Sequence, residues 1–223
     1  MALVQIDNVS KIYQTGDVQV KALQDVTISI DEASFVTFVG PSGSGKTTML
    51  NLIGCLDKPT KGKVFVGKKQ VDAFNRRQLA AFRGSFLGFI FQAFNLFPVL
   101  TAYENVEYPL VMIKNKSISK RKEMVLKVLE SVGMLNQKDK FPDQLSGGQK
   151  QRVAVARALV TQPKLVLADE PTANLDKKSA VNVIRLMRAM RDELKTTFIF
   201  STHDPGVMEE AEVIHTLEDG KLV

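Results

Sequence analysis

Gly40, Gly45, Lys46 and Thr47 stand at the spacing G-x-x-x-x-G-K-[ST], inside GPSGSGKTT. That spacing suits one kind of chemistry. The glycines let successive backbone N–H groups turn inward around a β-phosphate, the lysine neutralises β/γ oxygens, and the hydroxyl after it is a Mg²⁺ ligand. The expectation is a nucleotide phosphate cradle built from Gly40, Pro41, Ser42, Gly43, Ser44, Gly45, Lys46, Thr47 and Thr48, with Mg²⁺ on Thr47. A chance glycine-rich turn needs neither the apolar strand SFVTFVG that precedes it nor the apolar helix KTTMLNLIG that follows. LVLADE (Leu165 to Glu170) supplies the complementary carboxylates. It reads as a buried strand ending at the carboxyl edge of a sheet, where α/β proteins bind ligands. There Asp169 is placed to hold Mg²⁺ through water and Glu170 to orient or deprotonate an attacking water. The competing reading, an N-cap pair for the next helix, loses weight beside the phosphate loop.

LSGGQ (Leu145 to Gln149) has the look of a second phosphate turn opening a helix, about a hundred residues after the first. On a separate helical lobe it cannot easily serve the nucleotide held by Lys46 of the same chain. A second copy of the chain, facing head to tail, resolves this. Ser146, Gly147, Gly148 and Gln149 of each copy would then close over the other's γ-phosphate from a helix N-terminus, and two-fold symmetry makes two such sites at once.

These residues need a framework. Segments of β character lie near 3–8, 26–30, 35–39, 62–67, 85–91, 164–169 and 196–202, and EDGKLV closes the chain as a hairpin. A helix starts at Lys46, helical periodicity runs from about 94 to 161, and a charged helix spans 177–194. Strands alternating with helices imply a mostly parallel sheet. The expected fold is α/β of the P-loop NTPase (RecA-like) kind, with a small antiparallel β lobe and an inserted α-helical lobe. One domain, 1–223, would have 1–92 and 162–223 as the nucleotide-binding core and 93–161 as the helical lobe.

The 223 residues, 44% hydrophobic and 24% charged, match an ordinary globular chain. No apolar run reaches the roughly 18 residues of a membrane span, and MALVQIDNVSKIY reads as a strand, not a signal peptide. Cys55 is the only cysteine, so no disulfide framework or cysteine zinc site forms, as fits a reducing compartment. The net charge of +6 suits an anionic substrate, an anionic membrane surface or nucleic acid, or is a solvated basic surface. The densest basic run, Lys114 to Glu123, has no aromatic residues for base stacking, and no nucleic-acid partner is expected.

The ordered set of motifs resembles the ATP-binding-cassette (ABC) ATPases along essentially the whole chain. In order these are Tyr13, the phosphate loop, Gln92 after LGFIF, LSGGQ, LADE, ANLD ending in Asp176, and His203 in STHD. The resemblance implies ATP and Mg²⁺ as cofactors, Tyr13 stacked on adenine, Gln92 sensing Mg²⁺ and water, Asp176 reading the partner copy, and His203 on the γ-phosphate. Without the other motifs His203 reads as a cap for the helix after it. VQVKALQDV, LNLIGCLDKPTKG, FNLFPVLTAYENVEYPL and LADEPTANLD are similar to the lipoprotein-release and macrolide-export group. That implies an integral membrane permease subunit as partner and a peripheral place on the cytoplasmic face of the inner membrane. A cell-division ABC ATPase is a near alternative. A nucleic-acid or ribosome ABC ATPase is a more distant one, since coiled-coil insertions, zinc modules and a second cassette are missing. Ala33–Ser34 stands where the family commonly has Gly-Glu, Ala173 where glycine is frequent, and Thr47 where serine is more frequent.

Six of thirteen phenylalanines fall between Phe82 and Phe97. Phe86, Phe89 and Phe91 read as core of a strand. Phe94, Leu96 and Phe97 fall in a loop before a helix capped at Thr101, and an apolar loop cluster marks a partner groove.

Overall fold

A computed structural model describes residues 1–16, 18–113 and 116–223. Lys114, in the basic run, lies outside them. Two long strands come first, β1 (Ala2–Thr15) and β2 (Val18–Asp31). In the second half of β2, Val26, Ile28 and Ile30 are buried between exposed neighbours, the period-2 signature of a half-buried strand. Then follow β3 (Phe35–Val39), α1 (Lys46–Ile53), β4 (Lys61–Val66), β5 (Lys69–Gln70), α2 (Arg76–Phe86) and β6 (Leu87–Ile90). Three helices come next: α3 (Ala102–Ile113), α4 (Ile118–Ser131) and α5 (Gly147–Leu159). The chain closes with β7 (Leu165–Ala168), α6 (Lys177–Leu194), β8 (Thr197–Thr202), α7 (Pro205–Met208), β9 (Val213–Glu218) and β10 (Lys221–Leu222).

The strands form two sheets, ordered β2-β1-β4-β5 and β10-β9-β3-β8-β7-β6. The first is antiparallel throughout. The second is parallel except for the terminal hairpin β9–β10. Every residue of β3, β7 and β8 is buried, because both faces of this sheet are covered. Side chains alternate between two apolar clusters. Phe35, Val166, Ala168, Phe198 and Phe200 face α3, α4, α5 and α6. Val36, Phe38, Leu165, Leu167 and Ile199 face α1, α2 and the antiparallel sheet. The helices α3 to α5 therefore share one apolar cluster with a face of the sheet.

Two expectations need correction. The strand read over 85–91 covers only Leu87–Ile90, and α2 was not anticipated. Asn75 and Gln78 form a capping box at its start, but only Leu79 and Phe82 are buried along it. Its last residue, Phe86, runs straight into the strand with no turn residue to mark the change. Phe91, read as core, is 37% exposed, while Phe86 and Phe89 pack against the buried cluster. Thr101 caps α3 as expected: its hydroxyl accepts from the Glu104 N–H at 3.2 Å, and Glu104 accepts the Thr101 N–H at 2.7 Å.

Candidate nucleotide site

β3 ends at Val39 and α1 begins at Lys46, and the six residues between form the phosphate loop. Its glycines are required where the backbone is crowded. Gly40 has φ 146° and a Cβ there would lie 2.1 Å from the Leu217 carbonyl oxygen; Gly45 has φ 106° and its Cβ would meet the Ala22 carbonyl at 2.5 Å. Gly45 is the N-cap of α1, with no side-chain cap and no acidic residue in the first turn. The first amides of α1 are thus left for an outside anion. The Lys46 ammonium, nearly buried, donates to the carbonyls of Gly40 at 2.8 Å and Pro41 at 2.9 Å. An ammonium has three protons, so one remains. The Ser44 hydroxyl is buried beside Gly40 without a protein partner, and Ser44, expected in the cradle, does not line the cleft.

A cleft of about 650 Å³ opens over this loop. Pro41, Ser42, Gly43, Gly45, Lys46, Thr47 and Thr48 line it together with Gln92, Glu170 and His203. Val20, Lys21 and Ala22 of β2 complete it, a contribution that no motif signalled. Thr47 Oγ1 lies 3.2 and 3.0 Å from the two Asp169 carboxylate oxygens. Ser201, buried at the end of β8, donates to Asp169 Oδ1 at 2.7 Å and accepts the Glu170 N–H at 2.9 Å. Glu170 sits in the left-handed region, φ 46°, so that contact pins a strained peptide. Glu170 Oε1 is 2.9 Å from His203 Nδ1. The helix-cap reading of His203 fails, because Asp204 caps α7.

Of the remaining expected site residues, Tyr13 and Asp176 lie outside the cleft lining, whereas Gln92 is part of it. Tyr13 pairs across the strands with Val20, beside the opening. Its hydroxyl donates to Asp57 at 2.8 Å and the Lys11 ammonium stands 4.7 Å from its ring centroid. Gln92 is held through its carbonyl, which accepts from Asn174 Nδ2 at 2.9 Å. Asp176 is the N-cap of α6, accepting the Ser179 N–H at 3.0 Å, and Ser179 holds its carboxyl below the usual range.

The LSGGQ turn is elsewhere. Ser146 caps α5 and forms a capping box with Gln149, closing two donors internally. A Cβ on Gly147 would meet Leu175 at 3.2 Å, and one on Gly148 would meet Ser179 at 3.4 Å, so the turn packs beside the Asn174–Asp176 loop. None of Ser146, Gly147, Gly148 or Gln149 lines the cleft of its own chain. Sequence reasoning missed Ser201, Asn174 and Arg157. The first two stood inside quoted motifs but without a chemical pattern of their own. Arg157 of α5 donates to the carbonyls of Phe94, at 2.7 Å, and Asn95.

A second groove of about 520 Å³ lies beyond Gln92, lined among others by Leu56, Phe89, Phe91, Phe97, Tyr108 and Ile113. Phe97 is 41% exposed there, whereas Leu96 packs into the core.

A family model described as ABC transporter matches residues 23–173, more than half of the chain. An uncharacterized ABC transporter ATP-binding protein of Methanocaldococcus jannaschii, MJ0796, is 42% identical over 99% of this chain and 95% of its own length. The lipoprotein-releasing system ATP-binding protein LolD of Pseudoalteromonas translucida is 42% identical over 99% of this chain and 94% of its own. The macrolide export ATP-binding/permease protein MacB of Burkholderia thailandensis is 42% identical over 99% of this chain, which spans 34% of that protein. Among solved structures, a dimeric post-hydrolysis state of MJ0796 bound to ADP and Pi matches with a TM-score of 0.88, covering 98% of this chain and 96% of that one. With a phosphate cradle, its carboxylates and these full-length likenesses together, the chain belongs to the ABC transporter family, as an ATP-binding ATPase component.

Proposed function

We propose that the cleft binds ATP with Mg²⁺ and hydrolyses its terminal phosphate, and that two copies facing head to tail complete each other's sites and drive a separate membrane subunit. The observation that carries the hydrolytic reading is Glu170, 2.9 Å from His203, in the cleft that the phosphate loop also lines. Thr47 and Asp169 present a hydroxyl and a carboxylate side by side, the hard oxygen donors that suit Mg²⁺. Among the described residues no group of three or more His, Cys, Asp or Glu could hold a metal, so water and phosphate would fill the rest of its shell, as is usual for Mg²⁺. When bound, the ion supplies charge neutralisation at the phosphate oxygens.

The chain's own groups do the rest. Free amides of α1 and the third proton of Lys46 take the β- and γ-phosphates. Glu170 orients the attacking water and accepts its proton, while His203 steadies the carboxylate and reaches the γ-phosphate. Gln92, fixed by its carbonyl, keeps its side-chain amide free to sense water and metal. Tyr13, with Lys11 over its ring, offers an aromatic surface for adenine at the cleft's edge. Asp176, at the signature turn's side, reads the partner copy.

Separation of LSGGQ from the cleft within one chain supports completion by a second chain, and MJ0796, a similar protein, has been solved as a dimer. The names of LolD and MacB support a membrane subunit of the lipoprotein-release or macrolide-export kind over a cell-division partner. No helix among the described residues is long and apolar enough to cross a membrane. The chain would sit peripherally on the cytoplasmic face of the inner membrane, its apolar groove receiving a short helix of the permease. The division into a 1–92 and 162–223 core and a 93–161 helical lobe is part of the same reading.

Glu170→Gln tests the hydrolytic reading. The variant keeps the shape of the cleft but not the base, so it is expected to bind ATP, dimerise with it, and turn over at least about 100-fold slower. Turnover near wild type would overturn the assignment.

A further inference from the structure

Phe94 and Asn95 are consecutive residues in the left-handed region, with φ 60° and 49°. Neither is glycine, and such a pair does not hold itself in place. Among the described residues, one side chain reaches both carbonyls, the guanidinium of Arg157. It comes from the far end of α5, whose first turn is LSGGQ. Ser146 and Arg157 are eleven residues apart, about 16 Å along a rigid helix at 1.5 Å per residue.

Arg157 is an expensive residue to use as a mere prop. Burial lowers its pKa to about 10, and no carboxylate lies within ion-pair distance among the described residues. What compensates this half-buried charge is the pair of carbonyls. Both belong to the loop that starts at Gln92, whose own carbonyl is fixed by Asn174 from the other side. Asn174 in turn lies against Gly147, with its carbonyl 3.6 Å from where a Cβ there would stand. Arg157 also lines the apolar groove with Phe91, Asn95 and Phe97.

We propose that Arg157 is a positioning residue for hydrolysis, tying the Gln92 loop to the helix that carries the signature turn. Through the loop it sets where Gln92 enters its own chain's cleft. Through α5 it sets where Ser146 is presented to the other copy. A displacement of the groove wall is thereby passed to both. The inference rests on the hydrolytic reading of the cleft, and it goes beyond it in naming a residue that touches neither nucleotide nor metal.

The test compares Arg157→Ala, Arg157→Lys and Glu170→Gln with wild type, reading ATP affinity, kcat, KM, melting temperature and amide hydrogen exchange. Loss of hydrogen bonds to a charged group should lower kcat of Arg157→Ala by about 10-fold or more, with ATP affinity and KM unchanged. Exchange should rise in peptides covering 92–97 and not in those covering 40–53. Arg157→Lys, which keeps the charge but loses the two-pronged donor, should fall between; if the alanine variant does not fold, it carries the same expectation at reduced size. A wild-type kcat, or a loss that only follows a uniform rise in exchange, would overturn the proposal. Normal turnover in Glu170→Gln would instead remove the reading on which it rests.

Discussion

Left-handed backbone at residues other than glycine marks where this chain carries local strain. Glu170 holds φ 46° with its N–H donating to the Ser201 hydroxyl, and its carboxylate is aimed at His203. Ala33 holds φ 56° just before β3 and lines no part of the nucleotide cleft. Its family counterpart is commonly glycine, and the structure gives the reason, since an L-residue costs about 1–2 kcal/mol in that conformation. Glycine's extra freedom in the unfolded chain returns part of that. We predict that Ala33→Gly stabilises the protein by about 1 kcal/mol, seen by calorimetry as a rise of about 2–4 °C in Tm. An unchanged Tm would show that the position is relaxed with alanine.

Helix termini divide the work between elements. α1 starts without a side-chain cap, and its first amides face the cleft of their own chain; α5 starts with a capping box that closes two donors and leaves the Gly147 and Gly148 amides open, away from that cleft. α6 is fastened differently. Arg191, nearly buried, donates to the Ala33 carbonyl at 3.0 Å and to both oxygens of Glu212, which also pairs with Arg188 at 3.2 Å. These contacts join α6 to the segments entering β3 and β9. The Arg191 hydrogen bonds hold the Glu212 carboxyl below its usual range. The unfolded chain therefore binds this proton first, so the pairing stabilises above the ordinary glutamate value of about 4.3 and is lost as pH falls through the lower folded value. Glu212 is about one-third exposed, which keeps its worth small. Glu212→Gln is expected to cost about 1 kcal/mol at neutral pH. In urea unfolding the deficit should shrink once pH drops below about 4. A deficit independent of pH would mean that the side chain acts by packing alone.

At the scale of the molecule, the phosphate loop and the signature turn are two halves that one chain keeps apart. A head-to-tail pair would join them twice. This predicts complementation: Ser146→Arg spoils the turn that a chain lends, Lys46→Ala spoils the loop that it keeps, and neither homodimer should hydrolyse ATP. A mixed dimer has one site with both good halves. If the two sites act independently, a mixed dimer should run at about half of the wild-type rate, and an equal mixture that pairs at random at about a quarter. Mixed dimers shown to form yet giving no activity at any ratio would defeat completion in trans.

The sequence by itself determined the parts that depend on local chemistry. GPSGSGKTT between an apolar strand and helix could form little else, LVLADE had to end at a sheet edge, and α6 was legible to its last residue from charge periodicity. It also determined that LSGGQ opens a helix. The sequence was silent where meaning comes from distant neighbours. α2 hid because just two of its side chains are buried and it runs into β6 without a break. Phe91 looked like core because periodicity within a strand does not report that the next element leaves a groove. Ser201, Asn174 and Arg157 are ordinary polar residues until β8 adjoins β7 and α5 crosses the Gln92 loop. Only tertiary packing brings a hydroxyl to the Asp169 carboxylate and the Glu170 N–H, or a guanidinium to two carbonyls more than sixty residues away, because a hydrogen bond is set by distance and direction in space and not by separation along the chain.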